Sequence, residues 1–266
     1  MDKPLVVIKL GGSALTDKRR IYTPRIPAIH KAAKQIAEIR EHCSVVLVYG
    51  AGSYGHIPVR KYGLQRGLRS PKQLKGLSFT KFKLLEWEGL LDEIFLEHKV
   101  PVIPFLTSDF VIMKKGRIVS AELKPLTNWL RLGCVPITGG DIVPDLSDGF
   151  SVLSGDQIAA FIAVRLKAKR LVYAVDVDGV FNFDPNRNSK AQLIDSLTPT
   201  SAARLVSKVT SGTTPDVTGG MAGKIRESLA AAQHRIPVYF VNLTKDDRLR
   251  KAALGQNVVA SRLVTA

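Results

Sequence analysis

The residues best suited to chemistry in this 266-residue chain are three lysines, a histidine and an aspartate, each close to a glycine-rich turn. They are Lys9, Lys18, His56, Asp156 and Lys224. Lysine and histidine neutralise charge, and phosphoryl transfer depends mainly on positioning and on charge neutralisation. Since no carboxylate in the set is an obvious general base, the pattern favours an acceptor that is already an anion.

The glycine loop of residues 50–56 follows an apolar, β-branched run that is typical of a buried strand. Its Gly-x-Gly-x-x-Gly spacing matches the dinucleotide-binding fingerprint, which also needs an acid about 20 residues further on. The first carboxylate after the loop is Glu86, and Pro58 and Gly63 argue against a helix that begins at Gly55. We therefore predict that the loop and its histidine hold a phosphate, with the help of backbone N–H groups.

Two of the lysines occupy unusual positions. Lys9 lies in an otherwise apolar strand predicted over residues 4–10, where a buried lysine needs a partner. Lys224 ends a run similar to a P-loop, but the run is one residue short and Ile225 replaces the residue that would bind magnesium. We predict a glycine turn that places Lys224 at a helix N-terminus, where an anion is favoured. Asp156 is predicted to cap a helix or to orient the lysines, and the two roles are compatible.

The charge balance narrows the choice of partners. Lysine and arginine number 39 against 23 acids, and the formal charge of +16 suits anionic small substrates, nucleic acid or a membrane surface. The stretch 57–85 holds eight cations and no acid. We interpret this basic stretch as an electropositive rim that attracts phosphorylated ligands, the alternative being a solvated face. It lacks regular aromatic interleaving and any nucleic-acid-binding motif, so no nucleic-acid partner is expected.

Other classes are excluded by what the composition lacks. The sequence contains no run of 18 apolar residues and no signal-peptide pattern, so we expect no membrane span and a cytoplasmic location. Cys43 and Cys134 are expected to be reduced core thiols. No Cys/His cluster has zinc spacing, so no metal held by the protein is predicted.

Strands alternate with helices along the chain, which predicts an α/β fold: a three-layer α/β/α sandwich with an open, mainly parallel central sheet. A right-handed crossover would bring the first glycine turns to one edge of this sheet, where ligands bind. The other predicted elements include a hairpin over 110–120 and a loop over 139–145, with helices over 23–42, 77–98, 125–132, 154–166, 200–208 and 224–234. We expect a single domain, 1–266, with a soft boundary between lobes 1–167 and 168–266.

The order of the motifs resembles the amino acid kinase superfamily. The matching segments are Lys9-Leu-Gly-Gly-Ser13, Gly50-Ala-Gly-Ser-Tyr-Gly-His56, Ser154-Gly-Asp156, Asp176-Val-Asp-Gly-Val180 and Gly219-Gly-Met-Ala-Gly-Lys224. The histidine that ends the glycine loop, together with Thr16-Asp-Lys18, resembles the archaeal isopentenyl phosphate kinase branch and its relative, fosfomycin kinase. The resemblance extends over essentially the whole chain.

The resemblance implies a homodimeric enzyme that transfers the γ-phosphoryl group of ATP, with Mg²⁺ carried by the nucleotide, directly to isopentenyl phosphate in isoprenoid biosynthesis. The five residues of the opening paragraph would be catalytic. The acceptor site and the dimer interface would lie in 1–167, and the nucleotide site in 168–266. The implied substrate-binding residues are Ala51, Gly52, Gly55, His56, Gly139 and Gly140. The implied ATP-binding residues are Lys9, Gly11, Gly12, Ser13, Gly52, Asp156, Asp176, Asp178, Gly179, Val180, Gly223 and Lys224.

The glycine loop departs from the usual His-Gly-Gly-Gly-Ser-Phe-Gly-His pattern of the branch at Tyr49, Ala51 and Tyr54. Phe79 and Phe82 of the predicted helix 77–98 are expected to wall an apolar pocket for the five-carbon tail of the acceptor. Two alternatives stay open. One is a kinase of another small phosphate or phosphonate, with a fosfomycin-like or UMP-like acceptor, and the other is a basic nucleic-acid-binding protein.

Overall fold

The computed structural model describes residues 3–17, 20–183, 185, 188–209 and 220–264. Within them the strands are β1 (Leu5–Leu10), β2 (Ser44–Tyr49), β3 (Val102–Pro104), β4 (Val111–Lys114), β5 (Arg117–Ala121), β6 (Val135–Gly139), β7 (Asp141–Asp145), β8 (Gly149–Leu153), β9 (Arg170–Val175), β10 (Ser196–Leu197), β11 (Val238–Asn242) and β12 (Ser261–Leu263). The α-helices are α1 (Gly12–Leu15), α2 (Ile26–Arg40), α3 (Gly52–Lys61), α4 (Gln73–Glu97), α5 (Thr107–Phe110), α6 (Lys124–Arg131), α7 (Gly155–Arg165), α8 (Pro199–Val209), α9 (Gly220–Gln233) and α10 (Arg248–Leu254).

The central sheet has eight strands in the order β10-β12-β11-β9-β1-β2-β6-β3. Every adjacent pair is parallel except β11 and β12. β1 lies between β2 and β9 and is buried throughout, as the apolar sequence of this strand predicts. The predicted fold class is therefore confirmed. Because β9 begins after residue 168 and pairs with β1, the two predicted lobes share one continuous sheet.

Side chains of β1 alternate between two hydrophobic cores, one on each face of the sheet. Val6 and Ile8 pack in the core that includes residues of α2, α4 and α10. Leu5 and Val7 pack in the core that includes residues of α6, α7, α8 and α9. By the same alternation, Lys9 is directed towards α7 and α9, at the carboxyl end of the strand where α/β folds bind ligands.

A second sheet, in the order β5-β4-β7-β8, covers part of the carboxyl edge. The hairpin predicted over 110–120 is present as β4 and β5. The loop predicted over 139–145 is wrong, because Asp141–Asp145 form a strand paired antiparallel with β8. The acid that suggested a loop, Asp145, instead joins the turns of the two hairpins. Its carboxylate accepts hydrogen bonds from the N–H groups of Lys115, Gly116, Ser147 and Asp148 and from the hydroxyl of Ser151.

The helices differ from the sequence predictions mainly at α3 and α4. The expectation that no helix begins in the glycine loop is wrong, since α3 runs from Gly52 through Pro58. It ends before Gly63, whose φ of 64° lies in the left-handed region. Helix α4 begins four residues before the predicted start, at Gln73 rather than residue 77. None of the helices in the described part of the chain combines the length and hydropathy that a membrane crossing requires.

Candidate active site

The glycine turns after β1 and β2 are in backbone contact. A Cβ atom built on Gly12 would lie 2.8 Å from the amide nitrogen of Gly52, and one built on Gly50 would lie 2.5 Å from that of Gly12. Only glycine fits such a close approach of two chains. Thr16 links the same turns, because its hydroxyl donates to the carbonyl of Gly12 (2.9 Å) and accepts from the N–H of Ser53 (3.1 Å). The first turns of α1 and α3 are thereby held side by side.

Asp156 joins the two described lysines of the predicted catalytic set. Its Oδ1 lies 2.7 Å from Nζ of Lys9, and its Oδ2 lies 3.2 Å from Nζ of Lys224. Ser154 caps α7 by accepting a hydrogen bond from the N–H of Asp156, and the hydroxyl of Tyr173 donates to the carbonyl of Asp156. Asp156 therefore lies in the first turn of a helix that is fixed at both its cap and its backbone. The prediction that it orients the lysines agrees with this geometry.

The two lysines decide the charge state of Asp156. Burial alone would raise the pKa of this carboxyl, whose residue is 2% exposed, but the charges and hydrogen bonds of Lys224 and Lys9 hold the pKa below its usual value. The buried position of Lys9 is explained by the same ion pair, as a lysine in an apolar strand requires. A pair of ammonium groups fixed on one carboxylate is suited to neutralising a phosphate placed above them.

A cavity beside this ion pair collects half of the predicted site residues. Lys9, Gly12, Ser13, Ala51, Gly55, His56, Gly140, Asp156 and Lys224 all line it. Gly52 lies in backbone contact with Gly12 beneath the cavity, and Gly223 is buried in α9 next to Lys224. His56 lies in the second turn of α3, so the cavity lies near the helix end that favours anions.

Three of the predicted site glycines make other contacts in the structure, and their binding roles stay predictions. The N–H of Gly55 donates to the carbonyl of Ala51 at 3.1 Å within α3, so it is not directed at a phosphate. The N–H of Gly11 donates to the carbonyl of Ala174 at 2.7 Å. Gly139 is not among the cavity residues, because the ring of Tyr49 packs against it so closely that a Cβ would lie 2.1 Å from the ring. Each of these contacts follows from local secondary structure that the sequence pattern did not resolve.

Lys224 is not at a helix N-terminus as predicted, because α9 already includes Gly220 and Lys224 lies in the second turn of the helix. Its charge still reaches the site through Asp156. Lys18 and Gly219 lie outside the described residues, so their predicted roles stay predictions.

The segment Asp176–Val180 follows β9 next to Gly11, at the same edge of the sheet. Oδ1 of Asp178 accepts hydrogen bonds from Asn242 (2.8 Å) and from Arg248 (2.7 Å). Burial raises the pKa of Asp178, but these two partners more than offset it, and the pKa lies below its usual value. The N–H of Val180 donates to the hydroxyl of Ser261 at 2.7 Å. The segment is thus rigidly attached to β11 and β12, and its contact with adenosine stays a prediction.

Part of the cavity wall is apolar, but the residues that form this part are not the predicted ones. Val59, Leu84, Ile142 and Val152 line it. Phe82 is 54% exposed and the ring of Phe79 packs against Tyr62, 5.8 Å between centroids, so the predicted aromatic wall is wrong. Ile142 and Val152 come from the second sheet. The alternation of Phe150, Ser151 and Val152 was the signal that could have found the second of them, whereas residues 141–145 do not alternate.

The basic stretch contributes no charged side chain to the cavity wall, because none of its eight cations is among the lining residues. Its role as a rim stays a prediction. Three of them are paired with acids: Arg69 with Asp148, Lys81 with Asp141, and Lys83 with Glu86. The ammonium of Lys81 contacts both oxygens of Asp141, at 2.7 and 2.6 Å, and Asp141 lines the cavity. One role of this stretch is therefore to neutralise an acid in the cavity wall.

Sequence comparison places this architecture in a family. A model of the amino acid kinase family matches residues 4–242. The chain belongs to the amino acid kinase family. It is 30% identical to the isopentenyl phosphate kinase of Methanothermobacter thermautotrophicus over 97% of this chain and 98% of that protein. It is 29% identical to the isopentenyl phosphate kinase of Thermoplasma acidophilum over 92% of this chain and 94% of that one.

The structural comparison agrees with the sequence. An X-ray structure of isopentenyl phosphate kinase superposes with a TM-score of 0.84 at 27% identity, and the match covers 98% of this chain and 100% of the other. The resemblance inferred from the motifs is confirmed at full length. The isopentenyl phosphate kinases match this chain over its full length in both sequence and fold, so we compare the site with the reaction of these enzymes.

Proposed function

We propose that this protein transfers the γ-phosphoryl group of ATP to isopentenyl phosphate, which gives isopentenyl diphosphate and ADP. The observation that carries the proposal is one cavity lined by two unlike sets of residues. Lys9, Lys224 and His56 supply cationic and polar groups, and Val59 and Ile142 supply part of a hydrophobic cluster. Isopentenyl phosphate likewise combines a charged phosphate with a short hydrocarbon tail. The proteins that are similar to this chain over nearly its full length are isopentenyl phosphate kinases.

The transfer needs charge neutralisation more than proton transfer. An oxygen of the acceptor phosphate attacks the γ-phosphorus while the bond from that phosphorus to the β,γ-bridging oxygen breaks, and ADP leaves in line. A phosphate monoester, with a second pKa of about 6, is largely dianionic at neutral pH and needs no general base. In our proposal His56 and the start of α3 hold the acceptor, and Lys9 and Lys224 stabilise the charge on the γ-phosphoryl group.

The two carboxylates of the cavity are paired with lysines, which supports a magnesium ion that is carried by the nucleotide and not held by the protein. Both oxygens of Asp156 contact lysines, and both oxygens of Asp141 contact Lys81. The described residues contain no group of three or more His, Cys, Asp or Glu side chains arranged to hold a metal. Mg²⁺ bound to the β- and γ-phosphates would supply further charge neutralisation.

A homodimer with its interface in residues 1–167 and a cytoplasmic location belong to the same proposal. The exposed apolar side chains of Phe82, Leu85 and Leu96 on α4 support a contact with a second copy. The free thiols of Cys43 and Cys134 support a reducing compartment. Light scattering at several protein concentrations tests the dimer, and a molar mass of one chain at all of them would contradict it.

A coupled assay of ADP release with several acceptors tests the reaction. Isopentenyl phosphate should be the preferred acceptor, and turnover of UMP, N-acetylglutamate or fosfomycin in its place would contradict the proposal. Ethyl phosphate lacks three carbons of the tail, and at about 0.8 kcal/mol per buried methylene its KM should be higher by roughly fiftyfold.

The role of His56 has its own test. His56→Ala should lower kcat/KM for the acceptor by about 100-fold or more while ATP binding is retained. His56 lines the cavity, and in our proposal it holds the acceptor phosphate. Lys18→Ala should show the same pattern. The exposed His42 provides a matched control, since His42→Ala should leave both quantities unchanged. Equal activity of His56→Ala and His42→Ala would show that the acceptor site is misplaced.

A further inference from the structure

A second cavity lies at the opposite edge of the central sheet, between the starts of β2 and β6. Its volume is about 390 Å³, which is in the range of small-molecule sites. The two strands are parallel neighbours, and their carboxyl ends lead to the proposed active site. The length of β2 places the two cavities about 20 Å apart. The proposed kinase reaction does not use this second cavity.

The mouth of the second cavity is cationic. Lys3, Arg40 and Arg131 line it, and no Asp or Glu is among its lining residues in the described chain. The ammonium of Lys3 donates to the carbonyl of Arg40 at 3.0 Å, so the first two residues are held together. An exposed acid, Glu41, lies 3.8 Å from Nη1 of Arg40. A concave site whose described lining residues include three cations and no acid attracts a multiply charged anion.

Arg40 lines the second cavity beside Lys3. The guanidinium group is suited to a phosphate in particular, because its N–H donors match two oxygens of the same group.

The inner wall of the second cavity is different in character. Val45, Leu130 and Val135 line it together with the thiols of Cys43 and Cys134. The three hydrocarbon side chains are buried, with exposed fractions of 4% or less. Space lined in this way is unfavourable for a second charged group and favourable for a short hydrocarbon body.

We propose that this second cavity binds a small molecule that carries a phosphate or diphosphate group on a short apolar body. The anionic group would lie between Arg40, Arg131 and Lys3, and the apolar body would lie on Val45 and Leu130. The inference rests on the second cavity alone and holds whatever the acceptor of the kinase reaction is. It assigns a use to part of the positive charge that the active site does not employ.

Cys134 provides a reporter inside the second cavity. Its side chain is partly exposed, whereas Cys43 is 4% exposed and burial raises the pKa of its thiol, an effect that Arg170 and Lys3 only partly offset. Iodoacetamide should therefore label Cys134 first, and peptide mass spectrometry reads each cysteine separately. Bound ligand should slow the labelling of Cys134, by about tenfold at a ligand concentration ten times its Kd.

Three probes separate the possible sources of the anion: inorganic phosphate, inorganic diphosphate and isopentenyl diphosphate. We expect saturable protection with diphosphate and tighter protection with isopentenyl diphosphate, because only the latter has an apolar body. Protection by inorganic phosphate alone would overturn the assignment of the inner wall. No protection by any probe would overturn the proposal as a whole.

Variants place the effect in the second cavity. Arg131→Ala and Lys3→Ala should each raise the Kd measured by protection about tenfold, because each removes a charge-assisted contact. Arg165→Ala is the matched control, since Arg165 is exposed at the end of α7 and does not line the second cavity. Protection should persist in His56→Ala. Loss of protection in His56→Ala, or full protection in Arg131→Ala and Lys3→Ala, would show that the labelling reports binding elsewhere. The readout requires no turnover, so it is independent of the proposed kinase activity.

Discussion

Asp156→Asn tests the ion pair at the site with a minimal change, because asparagine keeps the shape of the side chain and removes its charge. The carboxylate lies 2.7 Å from Lys9 and 3.2 Å from Lys224, with side-chain exposures of 3%, 5% and 14% respectively. Removal of one partner from a buried ion pair costs about 3–5 kcal/mol, since the other charge stays buried. We expect the lower end, about 3 kcal/mol, because Lys224 can reach water and asparagine still offers one acceptor.

The loss should depend on pH. The lysines hold the pKa of Asp156 below its usual value although burial raises it. The stabilisation by the carboxylate is therefore fully present above the unfolded pKa of about 3.9 and is lost as the pH falls through the lower folded value. Urea unfolding at pH 7 should show the full difference between wild type and Asp156→Asn. The difference should narrow below about pH 4.

Activity supplies the second readout. At a temperature where the variant is folded, kcat should fall by about 100-fold or more, because Lys9 and Lys224 lose the group that fixes them. Asp178→Asn is the control for stability, since its ion pair with Arg248 is 37% exposed on the acid side and should cost less than about 1 kcal/mol. The reasoning is refuted if Asp156→Asn is as stable as Asp178→Asn and retains the kcat of wild type.

Two further predictions concern groups outside the ion pair. Arg117 donates two hydrogen bonds to Glu227, of 2.7 and 3.0 Å, and so joins the β4–β5 hairpin to the helix that carries Lys224. Arg117→Ala should lower kcat about tenfold and, because the arginine is 62% exposed, lower the stability by less than about 1 kcal/mol; an unchanged kcat would contradict the link. Burial, and secondarily the charge of Asp92, raises the pKa of Glu88 from 4.5 to about 7. Between these two pH values the folded protein binds a proton that the unfolded chain has lost, so the free energy of unfolding falls as the pH rises from about 4.5 to 7. Glu88→Gln should remove up to about 3 kcal/mol of this pH dependence, and parallel Tm curves for variant and wild type between pH 5 and 8 would exclude it.

Much of the fold could be predicted from the sequence because some residues are compatible with few environments. An apolar strand that contains Lys9 predicted both a buried strand and a partner for the lysine, and in the structure this partner is Asp156. The second sheet did not follow, because the strand after Gly140 carries two acids and a proline. These residues are loop-like in sequence, but Asp141 is neutralised by Lys81 and Asp145 accepts hydrogen bonds from the two hairpin turns.

The sequence of α4 did not predict which of its residues line the apolar part of the cavity. Leu84 and Leu85 are adjacent in sequence, yet the first is 5% exposed and lines the cavity while the second is 46% exposed. Apolar residues occur on all sides of this helix, so the helical period alone does not fix which side faces inward. The facing residues, Ile142 and Val152, belong to the sheet that the sequence did not reveal.

The two tyrosines that distinguish the glycine loop add their bulk away from the cavity. The ring of Tyr54 stacks on Trp87, with centroids 5.0 Å apart, and its hydroxyl donates to the carbonyl of Tyr22 at 3.0 Å. The ring of Tyr49 is buried, 4% exposed, below Gly139. Neither residue lines the site.

The third departure, Ala51, does face the cavity, and it restricts a neighbour. Its φ of −60° is ordinary for alanine, so the backbone there needs no glycine. A Cβ at Gly55 would lie 2.4 Å from the Cβ of Ala51, so the glycine one turn later has become obligatory. Ala51 and Gly55 thus fit side by side because Gly55 has no side chain. The spacing between the acceptor loop and the donor loop is then set by main-chain contacts at Gly12 and Gly50, which the substitutions leave untouched.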